Sequence, residues 1–171
     1  MTVHTIPIGD LGKFEKKFAQ SLRLEVQSGL RAAAREVKQV LEQRSSRIRD
    51  RGIYQKSWKV EAKFTRLDID NVADHSPYVE GGRRPGARMP PLQPIREWLE
   101  RHGSDPAGAF IVARAIGLRG IQPRPVLTWA KPQIDKIVMG HVTAAHAKAI
   151  FKAGVEIGSN FLRSAIGGIF G

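Results

Sequence analysis

The sequence predicts an α+β fold with a long N-terminal helix, an antiparallel β-hairpin or small sheet, several short helices, and a long C-terminal helix with an apolar tail. Apolar residues recur at steps of three or four from about residue 11 to 47 and from 126 to 149, which indicates two helices. Between these stretches, residues 54–64 alternate apolar and charged side chains, which is typical of a half-buried strand. We expect one domain over residues 10–153, preceded by an extended arm at 1–9 and followed by a tail at 154–171.

The N-terminal helix is expected to begin after Asp10, whose carboxylate can cap the first turn, and to run to about Arg47. Without a break it would span roughly 55 Å at 1.5 Å per residue, which exceeds the usual helix of a globular domain. We expect a neighbouring subunit to cover part of so long a helix. The alternative is two ordinary core helices joined by a hinge at Gly29.

The hairpin is predicted from two adjacent alternating stretches. In residues 54–64 the apolar side chains alternate with three lysines and one glutamate, and in residues 67–72 they alternate with Asp68 and Asp70. A turn is expected at 65–66. Opposite charges that face each other across two strands favour antiparallel pairing.

A basic loop is expected in the middle of the chain, between two short helices. A Ser-Pro pair at 76–77 is typical of a helix start, and a Gly-Gly pair at 81–82 ends that helix. The Arg-Arg-Pro-Gly segment at 83–86 indicates an exposed loop, because proline disfavours helix at the residue before it and glycine allows a tight bend. A Pro-Pro pair at 90–91 opens the second helix, which ends near Gly103.

The C-terminal half is predicted to contain two further helices. The first begins at an Asp-Pro pair at 105–106 and ends near Gly117 or Gly120. A rigid extended connector at 122–125 leads to the long last helix, in which Pro132 lies at or near the start.

The tail at 154–171 is too apolar to remain in water and too rich in glycine to form a sturdy helix unaided. We expect it to dock on its own domain or on a partner chain, with Phe161 and Phe170 in the contact.

The composition favours an acidic partner and a reducing compartment. The formal net charge is +12, from 28 Lys and Arg against 16 Asp and Glu, which suits nucleic acid or an acidic protein surface, although solubility alone explains it equally well. The chain has no cysteine, so disulfides and thiolate chemistry are excluded. It shows neither a signal-peptide pattern nor a run of about 20 uncharged apolar residues, so we expect no membrane partner.

Catalysis has little support in the sequence. There is no Gly-x-Ser-x-Gly motif, and the Gly-Gly-Arg-Arg segment at 81–84 lacks the Lys-Ser/Thr ending of a phosphate-binding loop. Asp68, Asp70 and Asp74 with His75 would suit a metal-dependent hydrolase, but a solvated strand face explains the first two equally well. We expect no enzyme activity, no cofactor and no bound metal.

A second set of basic residues is a candidate for contact with DNA. Arg47, Arg49, Arg51 and Lys56 would bind phosphates without reading sequence if they share a face. The alternative is that the arginines of the chain dock on acidic rims of protein rings, where a planar, multi-donor head is favoured.

The order of these features resembles the minor tail, or tail-completion, proteins of long-tailed bacteriophages, a broad group that includes the lambda tail completion protein. Members carry a Pro-Tyr-Ala-x-x-Val-Glu-x-Gly-like stretch and a later Pro-Arg-Pro-Phe segment. Tyr78, Glu80 and Gly82 match the first, and the Pro-Arg-Pro at 123–125 matches the second. The match covers about residues 15–140 and departs from the pattern in three ways: a valine replaces the alanine, the spacing to the glutamate is shorter, and a valine replaces the final aromatic residue.

The resemblance implies a structural protein of the virion neck or tail terminus, assembled in the host cytoplasm as a homo-oligomeric ring of six that completes the tail and joins it to the head. Its partners would be the neighbouring connector and tail-terminator proteins, with packaged DNA contacted non-specifically. The alternative function is a sequence-independent DNA-binding protein. From the framing of the loop we expect its interface residues to include four arginines, presented by a loop that Tyr78 and Glu80 fix: Arg83, Arg84, Arg88 and Arg124.

Overall fold

The computed structural model describes the backbone of residues 8–48 and 51–167, and side chains over 12–48 and 51–159. It confirms the α+β class, with a mostly helical chain and one two-stranded antiparallel sheet in the described part. The elements in order are α1 (Ile8–Ser45), a 3₁₀ turn (Ser46–Ile48), α2 (Ile53–Lys56), β1 (Trp58–Lys63), β2 (Arg66–Asn71), α3 (Ser76–Gly81), α4 (Leu92–Arg101), a 3₁₀ turn (Pro106–Gly108), α5 (Ala109–Arg119) and α6 (Val126–Gly167). Among the described residues, no helix combines the length and the apolar character needed to cross a membrane.

The chain divides into two compact units. The first contains residues up to 43, residues 58–70 and residues from 131 onward; the second contains residues 44–57 and 71–130. Helix α6 continues across residue 154, where the sequence predicted the docking tail to begin. The N-terminal arm and Phe170 lie outside the described residues, and so does the side chain of Phe161.

In the first unit, α1 is one unbroken helix of 38 residues, so a hinge at Gly29 does not form. It begins at Ile8, two residues before the predicted cap. Gly29 serves close packing instead, because a Cβ atom at this position would lie 2.9 Å from the backbone oxygen of His141 on α6. The buried side chains of this unit are mostly small or β-branched: Leu30, Ala33, Ala34, Val37, Val40 and Leu41 on α1, Trp58 on β1, and Ile134, Ala145 and Ala149 on α6.

Polar contacts fix α1 and α6 in an antiparallel register. Lys17 lies 3.0 Å from Glu156, and Glu36 lies 2.9 Å from Nε2 of His141. The residue number thus rises along one helix as it falls along the other.

Glu25 on α1 contacts two lysines of α6. Its side chain is 10% exposed, its Oε2 lies 3.0 Å from Nζ of Lys148, and its Oε1 accepts a hydrogen bond from Lys152. The hydrogen bond from Lys152, followed by that from Lys148, lowers the pKa of Glu25 below its ordinary value. Glu25 therefore stays ionised between the two lysines.

The hairpin forms as predicted, although its boundaries differ. Tyr54 was expected in the first strand but lies in α2, a single helical turn that follows Gly52 (φ 73°) and ends where the Ser57 hydroxyl donates to the Ile53 carbonyl at 2.7 Å. The strands then pair their charges as expected. Asp68 on β2 contacts Lys63 on β1 and lies 2.9 Å from Nε of Arg66, and the hydrogen bond from Lys63 is the main cause of its lowered pKa.

The second unit packs α4 against α5 around a small core. Two local signals of the sequence mark boundaries of its helical elements. Asp105 Oδ1 accepts a hydrogen bond of 2.9 Å from the Ala107 amide, and Gly103 follows α4 in a left-handed conformation. The buried apolar residues are Tyr54, Ala73, Leu99, Ala109, Ala113, Val126 and Ala130.

Candidate interface site

The site is built from two segments of the second unit. The arginine loop (residues 82–91) joins α3 to α4, and the connector (residues 120–125) joins α5 to α6. Helix α3 begins with His75 in the cap position, so Ser76 is its first residue and not the predicted cap.

Backbone hydrogen bonds attach the arginine loop to the connector and to the end of α5. The Arg83 amide donates to the Ile121 carbonyl at 2.8 Å, and the Ile121 amide donates to the Arg83 carbonyl at 2.9 Å. The two residues form an antiparallel bridge. The Gly86 amide donates to the Gly117 carbonyl at 2.8 Å, so the loop is attached at two points.

Glycine at two positions permits this close approach. Gly82 and Gly120 have φ angles of 68° and 72°, which side chains with a Cβ atom rarely adopt. A Cβ at Gly82 would lie 2.5 Å from the Ile121 oxygen, and one at Gly120 would lie 2.1 Å from the Arg83 oxygen. A larger residue at either position would push the loop away from the connector.

Glu80 joins the segments through its side chain. Its Oε1 accepts a 2.5 Å hydrogen bond from the Tyr54 hydroxyl, and its two oxygens lie 3.3 Å and 3.4 Å from the amide nitrogen of Leu127. Leu127 is the second residue of α6, so the carboxylate faces the positive end of the helix dipole. Burial, together with the hydrogen bond to Glu80, raises the pKa of Tyr54.

Arg83 orders the loop from within. Its guanidinium lies 5.7 Å from the centroid of the Tyr78 ring, and Nη2 donates to the Arg88 carbonyl. Its Nε is buried and has no hydrogen-bond partner among the described residues. The sequence predicted Arg83 among the presented arginines, but its side chain contacts Tyr78 and the Arg88 carbonyl instead.

The other three arginines face solvent. Arg84, Arg88 and Arg124 are exposed, and none has a carboxylate partner within the described part of the chain. The connector places Arg124 beside the loop, because the Arg124 amide donates to the Val79 carbonyl at 2.7 Å. The structure therefore brings together the loop arginines and the one from the connector.

The residues considered for DNA contact are only partly described. Arg47 and Lys56 are exposed, Arg51 lies 3.4 Å from Glu97, and Arg49 is outside the described residues. The sequence did not indicate that Arg51 and Glu97 border a cleft of about 400 Å³. Its walls come from three separate segments, and the only local signal is the spacing of Pro94, Trp98 and Arg101 along one side of α4.

The carboxylates weighed for catalysis do not assemble with histidine. Within the described ranges, no three His, Cys, Asp or Glu side chains are placed to hold a metal ion. Asp68 forms ion pairs with Lys63 and Arg66 on the hairpin. The ring centroid of His75 lies 6.0 Å from that of Tyr54.

Comparisons of the chain with protein-family models, with curated proteins and with solved structures found no match. The site is therefore interpreted from its own residues and contacts.

Proposed function

We propose that this protein is a non-enzymatic structural component of a bacteriophage neck or tail terminus. It assembles as a homo-oligomeric ring of six copies, completes the tail and joins it to the head. The neighbouring connector and tail-terminator proteins are its partners, and assembly takes place in the host cytoplasm.

One observation carries the proposal. The two segments that resemble tail-completion proteins, residues 76–86 and 120–125, are distant in sequence but form a single hydrogen-bonded assembly. Gly82 and Pro123, one from each segment, lie in direct contact, since a Cβ at Gly82 would lie 2.8 Å from the Pro123 nitrogen. The residues that prompted the resemblance thus build one surface.

This surface suits docking to a protein partner. The bridge to the connector and the contacts of Glu80 fix the loop before any partner arrives, which reduces the entropy that binding must overcome. Arg84, Arg88 and Arg124 then present planar, multi-donor heads that match carboxylates on an acidic rim.

Apolar surface in the second unit supports docking to a neighbouring connector or tail-terminator protein. On α5, Ile111 is 72% exposed, Leu118 64% and Phe110 52%. Exposed apolar side chains grouped on one element are typical of contact surfaces between proteins.

Complementation of a phage that lacks this gene tests the proposal. Wild-type protein should restore infectious particles, and an Arg84→Glu/Arg124→Glu variant should fold but leave unjoined heads and tails in electron micrographs. The control is Lys16→Glu/Lys59→Glu, which makes the same change of net charge at exposed positions outside the loop. A normal yield of particles from the loop variant would contradict the proposal.

A second candidate is sequence-independent DNA binding, because the second unit exposes Arg47 and Lys56 in addition to the three loop and connector arginines. Each phosphate contact contributes about 0.9 to the slope of log affinity against log salt concentration. A steep slope for the wild type that falls by about 2 in Arg84→Glu/Arg124→Glu, with head–tail joining intact, would favour this function over the first.

A further inference from the structure

The outer face of α6 carries no charge over more than five turns. Between residues 137 and 159 the only Asp, Glu, Lys or Arg side chains are Lys148, Lys152 and Glu156. All three pair with α1: the two lysines with Glu25, and the glutamate with Lys17. The charged side chains of residues 137–159 thus lie on the side of α6 that faces α1.

The opposite side is apolar and exposed. At about 100° per residue, its small residues fall within an arc of about 60°, with larger side chains along both edges of the arc. The small residues are Gly140, Thr143, Ala147, Gly154 and Gly158. The larger ones are Met139 (63% exposed), Ile150 (62%) and Ile157 (51%) on one edge, and Phe151 (72%) and Val155 (56%) on the other.

This face lies partly on a stretch of the helix pair that has no core of its own. No described residue of α1 before Glu25 is buried, and none of residues 150–159 of α6 is buried. Phe14 and Phe18 stack on α1 with ring centroids 6.3 Å apart, yet both remain half-exposed. Two helices alone leave these apolar side chains in water.

We propose that a second copy of this chain packs a helix on the outer face of α6 over residues 139–158. This rests on the homo-oligomeric part of the proposed function and assigns one of the surfaces through which copies meet. The small residues form the floor of the face, and their spacing of three and four permits close approach of another helix. The larger side chains at the edges of the face would pack around that helix.

The net charge opposes contact between two copies least at this face. Each chain carries +12, so contact elsewhere on the surface tends to bring cations together, whereas the outer face of α6 has no charge to oppose another copy.

The exposed area is also sufficient. The five large side chains expose on the order of 500 Å², which matches the largest apolar patches of monomers, many of them functional. The same patch contributed by both copies gives on the order of 1,000 Å², the lower bound of a specific interface.

Sedimentation of the full-length chain tests the inference. The wild type should be oligomeric, and Ile150→Glu/Phe151→Glu, which places a charge at each edge of the face, should sediment at a smaller mass than the wild type. The control is Ile111→Glu/Leu118→Glu on α5, where the replaced side chains are equally exposed, and this variant should stay oligomeric.

Cysteine cross-linking supplies a readout that does not depend on disruption. The natural chain has no cysteine, so Ala147→Cys on the floor of the face should form a disulfide-linked dimer under mild oxidation, and Ile111→Cys should not. An α6 double variant with the mass of the wild type, without cross-linking at residue 147, would overturn the inference and leave the ring proposal standing. A monomeric wild type would overturn both. A monomer that binds lipid vesicles through this face would also overturn the inference.

Discussion

The Tyr54 hydroxyl donates a 2.5 Å hydrogen bond to the Glu80 carboxylate, and that carboxylate also accepts from the backbone amide of Leu127. One side chain thereby connects α2, the end of α3 and the first turn of α6. The arginine loop starts two residues after Glu80, so a partly buried polar contact fixes the position where the loop begins.

Replacing Tyr54 with phenylalanine should lower the free energy of unfolding by about 1.5–3 kcal/mol, because a hydrogen bond to a charged acceptor is lost. Tyr78→Phe is the matched control. The Tyr78 side chain is 51% exposed, so its loss of a hydroxyl should change stability by no more than about 0.5 kcal/mol. Denaturant unfolding of both variants measures the difference, and equal stabilities would show that the Tyr54–Glu80 contact is not structural.

The Tyr54 phenol should also resist ionisation in the folded protein. Burial and the contact with Glu80 raise the pKa of Tyr54 above its ordinary value of 10.0, which means that the fold favours the neutral phenol. Its contribution to stability is complete below pH 10 and declines as the pH rises further. In the Tyr78→Phe variant Tyr54 is the only tyrosine, and absorbance titration of the folded variant should show that its phenol ionises above pH 10. Ionisation at the ordinary pKa of 10.0 in protein that is still folded would contradict the assignment.

Gly120→Ala should detach the arginine loop from the connector. The new Cβ would lie 2.1 Å from the Arg83 oxygen. The positive φ at this position would add backbone strain of about 1–3 kcal/mol. Gly86→Ala separates the two effects, because Gly86 also has a positive φ but its Cβ would meet nothing within 4 Å. We expect a loss of about 1–2 kcal/mol at Gly86 and a clearly larger one at Gly120. Similar losses in thermal unfolding would show that the close approach is absent.

Acid should weaken the first unit through Glu25. Its lowered pKa means that its contribution is complete above the ordinary value of 4.5 and is lost as the pH falls through the lowered pKa. Glu25→Gln should therefore lower the melting temperature at pH 7 and flatten its decline in acid. Glu15→Gln, at an exposed position of the same helix, should do neither. A variant at Glu25 with the acid profile of the wild type would refute this role for the ion pairs.

The sequence predicted the elements that depend on local signals. The 3.6-residue period predicted α1 and α6, and alternation predicted the hairpin. Asp105 caps the 3₁₀ turn (Pro106–Gly108) that precedes α5, whereas the sequence predicted α5 itself to begin there. The error at Tyr54 has a local cause, because a single helical turn is too short to disturb a period of two. Gly29 was ambiguous, since a glycine within a helical pattern indicates either a hinge or close packing, and only the neighbouring helix decides between them.

The contacts that build the site could not be predicted in the same way. The bridge between Arg83 and Ile121 and the contact of Glu80 with Tyr54 join residues that are distant in sequence, and no periodicity records such pairs. Proline and glycine predicted that residues 83–86 form a loop, but they did not predict that Arg83 turns inward to Tyr78. The resemblance drew attention to residues 76–86 and 120–125 without predicting that they touch.

Sedimentation equilibrium of the wild-type chain over a wide concentration range tests the central claim most directly. If the outer face of α6 is covered by another copy, the mass should be a multiple of 18.9 kDa, with six copies in the assembled ring. A mass of 18.9 kDa at every concentration, for a folded protein, would contradict the account.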